Sequence, residues 1–166
     1  MNYLEQLVYE YYDHLGHVVI RNRRVGLREN GGWEGELDIV TYNPETNEVL
    51  HVECSNDALS WENREARYKT KFEIGEKYIP DIFKHFDIKP KIKQQVLLGN
   101  VGKSERTTIG GGEIVTLPDF LEGCIMNMRW SYIHMSDMVV PEEYPLLRTV
   151  YYMTKHFNGV SFLDWN

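Results

Sequence analysis

Two short runs on either side of a five-residue turn constrain this chain more than any other feature. Gly35-Glu36-Leu37-Asp38-Ile39-Val40, continuing to Tyr42, and Val49-Leu50-His51-Val52-Glu53-Cys54-Ser55 flank Asn43-Pro44-Glu45-Thr46-Asn47. Alternating apolar residues around turn formers predict an antiparallel β-hairpin. Side chains two apart in a strand share a face. Glu36 and Asp38 are therefore expected on one face with Leu37 and Ile39 on the other, and His51, Glu53 and Ser55 opposite Leu50, Val52 and Cys54. Three carboxylates, Glu36, Asp38 and Glu53, are expected to converge.

Like charges gathered in a partly buried place raise one another's pKa unless a proton or a cation neutralises them. A hard divalent ion does this, and Mg²⁺ characteristically uses one or two carboxylates with water and substrate phosphate. Such an ion activates water and stabilises charge on a phosphoryl group, which points to phosphodiester hydrolysis. The competing reading is an exposed hairpin whose outer face is simply acidic.

On these residues the chain resembles the PD-(D/E)xK nuclease superfamily, especially its Holliday-junction resolvase-like and Mrr-like branch. There the hairpin reads G-E-hydrophobic-D-hydrophobic, then a hydrophobic run into E-x-K. The resemblance implies an α/β fold with a restriction-endonuclease-like core, a mixed central sheet of about five strands flanked by helices. It implies a metal-dependent DNA endonuclease using Mg²⁺ or Mn²⁺, with Asp38 and Glu53 holding the ion, the Cys54 carbonyl as a further ligand, and Glu36 in support. It also implies an acid in the first helix, where Glu5 stands. At the family's lysine position this chain has Ser55, which cannot supply positive charge. Either a lysine reaches in from another element, or the domain is a degenerate nuclease fold that binds nucleic acid or protein. The following helix offers Arg64, Lys69 and Lys71, and a flexible Lys stem can span such a gap, Lys71 standing ahead of Lys69.

The net charge of −7 over 166 residues argues at first against a nucleic-acid partner. The average hides a segregation: residues 31–63 carry eight acids and no Lys or Arg, whereas 64–93 carry nine basic and five acidic residues. Arg21, Arg23, Arg24 and Arg28 form a second basic group. A cation site beside a phosphate track fits this layout, with Arg21, Arg23, Arg24, Arg64 and Ser55 as expected DNA contacts. Solvated surface charge is the alternative. Two cysteines without CxxC or Cys/His spacing exclude a disulfide scaffold and a structural zinc site. With no basic-then-apolar leader and no long apolar stretch, a cytoplasmic location away from membranes is expected.

Along the chain, the spacing predicts a helix over Tyr3–Leu15, a strand over His17–Arg23 and a loop over Gly26–Gly32 before the hairpin. It predicts a helix from Ser60 to Phe86 ended or kinked by Pro80, a strand at Gln94–Leu98 and a loop over Gly99–Gly112. A strand at Glu113–Leu117 and helices at Pro118–Met128 and Glu142–Phe157 follow. Residues 1–128 are expected to form the core and 129–166 a helical extension on the same domain. Gly99-Asn100-Val101-Gly102-Lys103-Ser104 is like the end of a P-loop, but Leu97 stands where a Gly is needed and no helix pattern follows, so an NTP site is not expected. Lys103 and Arg106 there are either phosphate contacts or ordinary loop residues. His51 shares the acidic face and is expected to be a plain strand histidine, with adjustment of the site's protonation or a substrate contact as the alternative; Cys54 is expected to be an inert core thiol. Trp130, Tyr132, Tyr144, Tyr151, Tyr152, Phe157, Phe162 and Trp165 are expected to pack, with base stacking or a homodimer surface as the alternative.

Overall fold

Asn2 opens the first helix, α1 (Tyr3–His14), its side chain accepting from the Leu4 and Glu5 amides at 2.9 and 3.1 Å. Such a cap satisfies two of the four amides a helix start leaves unpaired. The apolar stripe predicted there buries Leu4, Leu7 and Val8. The computed structural model describes residues 2–86, 91–101, 104–134 and 139–156, with 130–134 described by backbone alone.

Strand β1 (Val18–Leu27) runs on through Gly26, beyond the expected end at Arg23. It does so because β2 (Trp33–Asn43) pairs with it antiparallel from Val18↔Tyr42 to Leu27↔Trp33. Strand β3 (Glu48–Ser55) completes the hairpin antiparallel to β2, and the Asn43 side chain closes the turn by accepting from the Glu45 and Thr46 amides at 2.8 and 3.3 Å. Helix α2 (Trp61–Phe83), capped by Ser60, then crosses over to β4 (Lys91–Leu98), which lies parallel to β3. A parallel neighbour requires such a long crossover. Pro80 sits inside α2 without ending it, and the flanking Ile79 and Phe83 are both buried. Each such burial contributes roughly 1.5–3 kcal/mol, against the hydrogen bond that proline forfeits.

The expected loop over Gly99–Gly112 contains a two-residue strand, β5 (Thr108–Ile109), turned by Gly110 and Gly111 (φ 58 and 93) into β6 (Gly112–Thr116). A Cβ at Gly110 would collide with the backbone of Tyr68 and Lys69, so the close approach to α2 as well as the turn calls for glycine. The sheet is mixed and six-stranded, in the order β1-β2-β3-β4-β6-β5, one strand more than expected because of β5. A β4–β6 parallel pair joins the β3–β4 one.

Helix α2 buries a row at helical spacing, Arg64, Tyr68, Phe72, Gly75, Ile79 and Phe83. Ile79 and Phe83 join Val25, Leu37, Val40 and Val49 in one core, and Tyr68 and Phe72 join Val96, Leu98 and Ile109 in another. The chain divides into two compact units, Met1–Leu117 and Pro118–Asn166. The second holds α3 (Leu117–His134) from its second residue onward, and α4 (Pro145–His156). Residue 128, the expected border, lies within α3. No described helix is long and apolar enough to cross a membrane.

Candidate active site

Strands β2 and β3 part at Asp38 and Glu53, one residue beyond the last paired positions, Ile39↔Val52. The two side chains reach across the opening to the opposite backbone. The Cys54 amide donates to Asp38 Oδ2 at 3.0 Å, and the Asp38 amide lies 3.5 Å from Glu53 Oε1. From α2, Lys71 donates through Nζ to Asp38 Oδ1 at 3.1 Å and to Glu53 Oε2. Lys71 follows the buried Tyr68 by three residues, which puts it on the face that α2 turns to the sheet. His51 Nε2 stands 2.8 Å from Glu53 Oε1, and both side chains are 0% exposed.

The electrostatics of the trio are uneven. Burial, then the neighbouring Glu53 charge, push the Asp38 carboxyl up to about 7, although Lys71 and the Cys54 amide pull the other way. Burial would raise Glu53 too, but the His51 hydrogen bond and the Lys71 ammonium outweigh it and hold Glu53 below the usual range. Burial works against the charge on Lys71, yet the two carboxylates raise its pKa. The carboxyls titrate as a pair, with Asp38 taking the first proton.

Glu36 does not join this pair. Leu37 and Val40, an odd number of residues apart, pack into one core with Ile79 and Phe83, so the in-out alternation slips by one residue between them. Opposite Asp38 in the β1–β2 register stands Asn22 with φ 49, in the left-handed region that asparagine tolerates. The slip leaves Glu36 exposed and paired with Arg24 at 3.3 Å, while Asp38 turns to Lys71. Lys69 is exposed two residues from Lys71. Glu5 is buried on α1, accepts from Asn2 Nδ2 at 2.7 Å, and adds to burial and the Asp38 charge in raising the Cys54 thiol. The Cys54 side chain is buried; that residue meets Asp38 through its amide.

Ser55 faces a different partner. Its Oγ donates to Asp57, whose amide returns a bond at 3.0 Å. Asp57 also takes Arg64 Nε at 3.0 Å and Arg67 at 2.8 Å. Burial would raise the Asp57 carboxyl, but Ser55, the Leu59 amide and Arg64 hold it low. Arg64, 4% exposed, also donates to the Asp57 and Asn100 carbonyls, which makes it an internal brace. Arg21, Arg23 and Arg24 all lie on β1, the sheet's edge. Arg21 stacks on Tyr9 at 3.8 Å and Arg24 pairs with Glu36. Arg23 is exposed. Lys103, Phe157, Phe162, Trp165 and the side chains of Trp130 and Tyr132 lie outside the described residues.

His51, expected on the acidic face, is a direct partner of Glu53, whereas Asp57, the hub for Ser55, Arg64 and Arg67, escapes the sequence pattern. The i, i+2 spacing puts His51 and Glu53 on one face; nothing local marks Asp57.

Among the described residues no group of three or more His, Cys, Asp or Glu is arranged to hold a metal ion. The donors that converge are two carboxylates, both aimed at one ammonium. That arrangement is built around a positive charge, and it fits a hydrated hard cation that takes one or two carboxylates and keeps its remaining ligands from water and phosphate. The chain matches no protein-family model, no curated protein and no solved structure.

Proposed function

We propose that this protein is a metal-dependent endonuclease that hydrolyses phosphodiester bonds in DNA, on a restriction-endonuclease-like core. Asp38 and Glu53 would hold Mg²⁺ or Mn²⁺, and Lys71 stands in for the lysine that Ser55 replaces. The supporting observation is the delivery of the Lys71 ammonium from α2 to both carboxylates where β2 and β3 part. Buried ionic groups are a poor source of stability, and a carboxyl driven up to about 7 is a cost to the fold. Costly ionisation in one place is characteristic of chemical sites.

When bound, the divalent ion supplies an activated water and offsets charge on the phosphoryl oxygens. Lys71 contributes a mobile point charge with three donors, suited to orienting water beside Asp38 and to meeting a non-bridging phosphate oxygen. Asp38 is kept in place by the Cys54 amide and Glu53 by His51. Exposed Arg23 on the sheet edge and Lys69 on α2 are available to the DNA backbone, so binding weakens as salt rises.

Plasmid nicking in Mg²⁺ or Mn²⁺, repeated with Asp38→Asn and Lys71→Ala, tests the assignment. Cleavage lost in both variants supports it, and cleavage that survives Asp38→Asn overturns it. A second reading, a nuclease-derived domain that binds nucleic acid or protein without cutting, draws on the diversion of Ser55 to Asp57. DNA binding by a wild-type protein that never nicks would favour that reading.

A further inference from the structure

The wholly buried Glu53 side chain has its two oxygens taken from different directions, Oε1 by His51 Nε2 at 2.8 Å and Oε2 by Lys71. A carboxylate only accepts, so the ring nitrogen that faces it carries the hydrogen and donates. His51 Nδ1 is buried and has no hydrogen-bond partner, a cost on the order of 1–3 kcal/mol that a residue serving only to fill the core would not incur. The ring stands edge-on to Phe72 at 5.5 Å and lies against Gly75. A Cβ at Gly75 would collide with His51 Nδ1 and Cε1. Glycine inside a helix costs about 0.5–1 kcal/mol relative to alanine, and room for the imidazole accounts for its presence in α2.

We infer that His51 is a positioning residue for Glu53. Its Nε2–H fixes Oε1, which keeps Oε2 aimed at the space between Glu53 and Asp38, and Gly75 is the notch in α2 that admits the ring. The consequence for ion binding rests on the proposed role of Glu53; the orientation itself does not.

His51→Leu, His51→Gln and Gly75→Ala separate these points when read by Mn²⁺ calorimetry and by NMR of the metal-free protein. Partners that orient a ligand typically change metal affinity about 10- to 100-fold, so His51→Leu and Gly75→Ala are expected to weaken Mn²⁺ by that much. His51→Gln, whose amide can donate to the same oxygen, is expected to recover most of the loss. Wild-type imidazole nitrogen shifts are expected to report the Nε2–H tautomer, with a slowly exchanging Lys71 ammonium signal that Gly75→Ala and His51→Leu remove. Wild-type Mn²⁺ affinity in both disruptive variants, or an Nδ1–H tautomer, overturns the inference. If wild type binds no Mn²⁺, the nuclease proposal fails and the metal-free spectra decide this one: loss of the Lys71 signal supports it, persistence overturns it. Should His51→Leu fail to fold, Gly75→Ala compared with His51→Gln gives the same decision.

Discussion

Lys71 Nζ stands 3.1 Å from Asp38 Oδ1, although thirty-three residues and a change from helix to strand separate them in the chain. The two carboxylates where β2 and β3 part thus share a positive charge supplied by a neighbouring element. An ammonium on a flexible stem can make that reach, and a Ser hydroxyl at position 55 cannot replace it.

Removing that charge should separate binding from chemistry. Lys71→Ala and Lys71→Met are expected to lower plasmid nicking by about 10²–10⁴-fold, the usual scale for a group that moves a proton or meets developing charge. Mn²⁺ affinity, measured by calorimetry, should hold or tighten, because the internal cation no longer competes for Asp38 and Glu53. Lys71→Arg should not restore cleavage, since a planar fork does not reproduce a point charge.

Asp38 should make the fold less stable as pH rises. Its carboxyl is raised from 3.8 to about 7, so its stabilising contribution is complete below about pH 4 and disappears as pH climbs through 7. Glu53 is shifted the opposite way, and its contribution is lost only as pH falls below the ordinary carboxylate range. Between pH 5 and 8 the Asp38 effect therefore governs. Asp38→Asn should be more stable than wild type at pH 8 by on the order of 2–4 kcal/mol and show little advantage at pH 4, by urea denaturation. Cleavage should be absent in the same variant.

Magnesium should recover part of that loss. A ligand that binds only the folded state at ten times its dissociation constant adds about 1.4 kcal/mol, or roughly 3–6 °C in a domain of this size. The rise in Tm should be larger at pH 8 than at pH 5, where a proton already occupies the pair. An equal rise in Asp38→Asn would mean the ion binds elsewhere.

Arg64 and Arg23 should part company under mutation. Arg64 braces Asp57 and the Asn100 carbonyl from a buried position, so Arg64→Ala is expected to cost about 3–5 kcal/mol. Arg23→Ala, on the exposed edge, should stay within about 0.5 kcal/mol and reduce the salt slope of DNA binding by about one. Chemical denaturation and fluorescence anisotropy at several salt concentrations distinguish the two.

The hairpin was legible because its information is local: period-two alternation on either side of an Asn-Pro-containing turn. Lys71 could be ranked ahead of Lys69, but only the fold brings it to the carboxylates. Glu36 escaped because strict alternation assumes an undisturbed strand, and the slip beside Asp38 accompanies Asn22 on a neighbouring strand. The burial of Arg64 is invisible to a local pattern, because it depends on Asp57 and on a carbonyl thirty-six residues away. The two residues of β5 are too few to show any period.

Asn22 also bears on how copies of this molecule meet. A long outermost strand with unsatisfied amides and carbonyls invites a second sheet to dock and extend it. Here that border is interrupted mid-length by a left-handed residue between Arg21 and Arg23, which breaks the flat, continuous edge that strand addition favours.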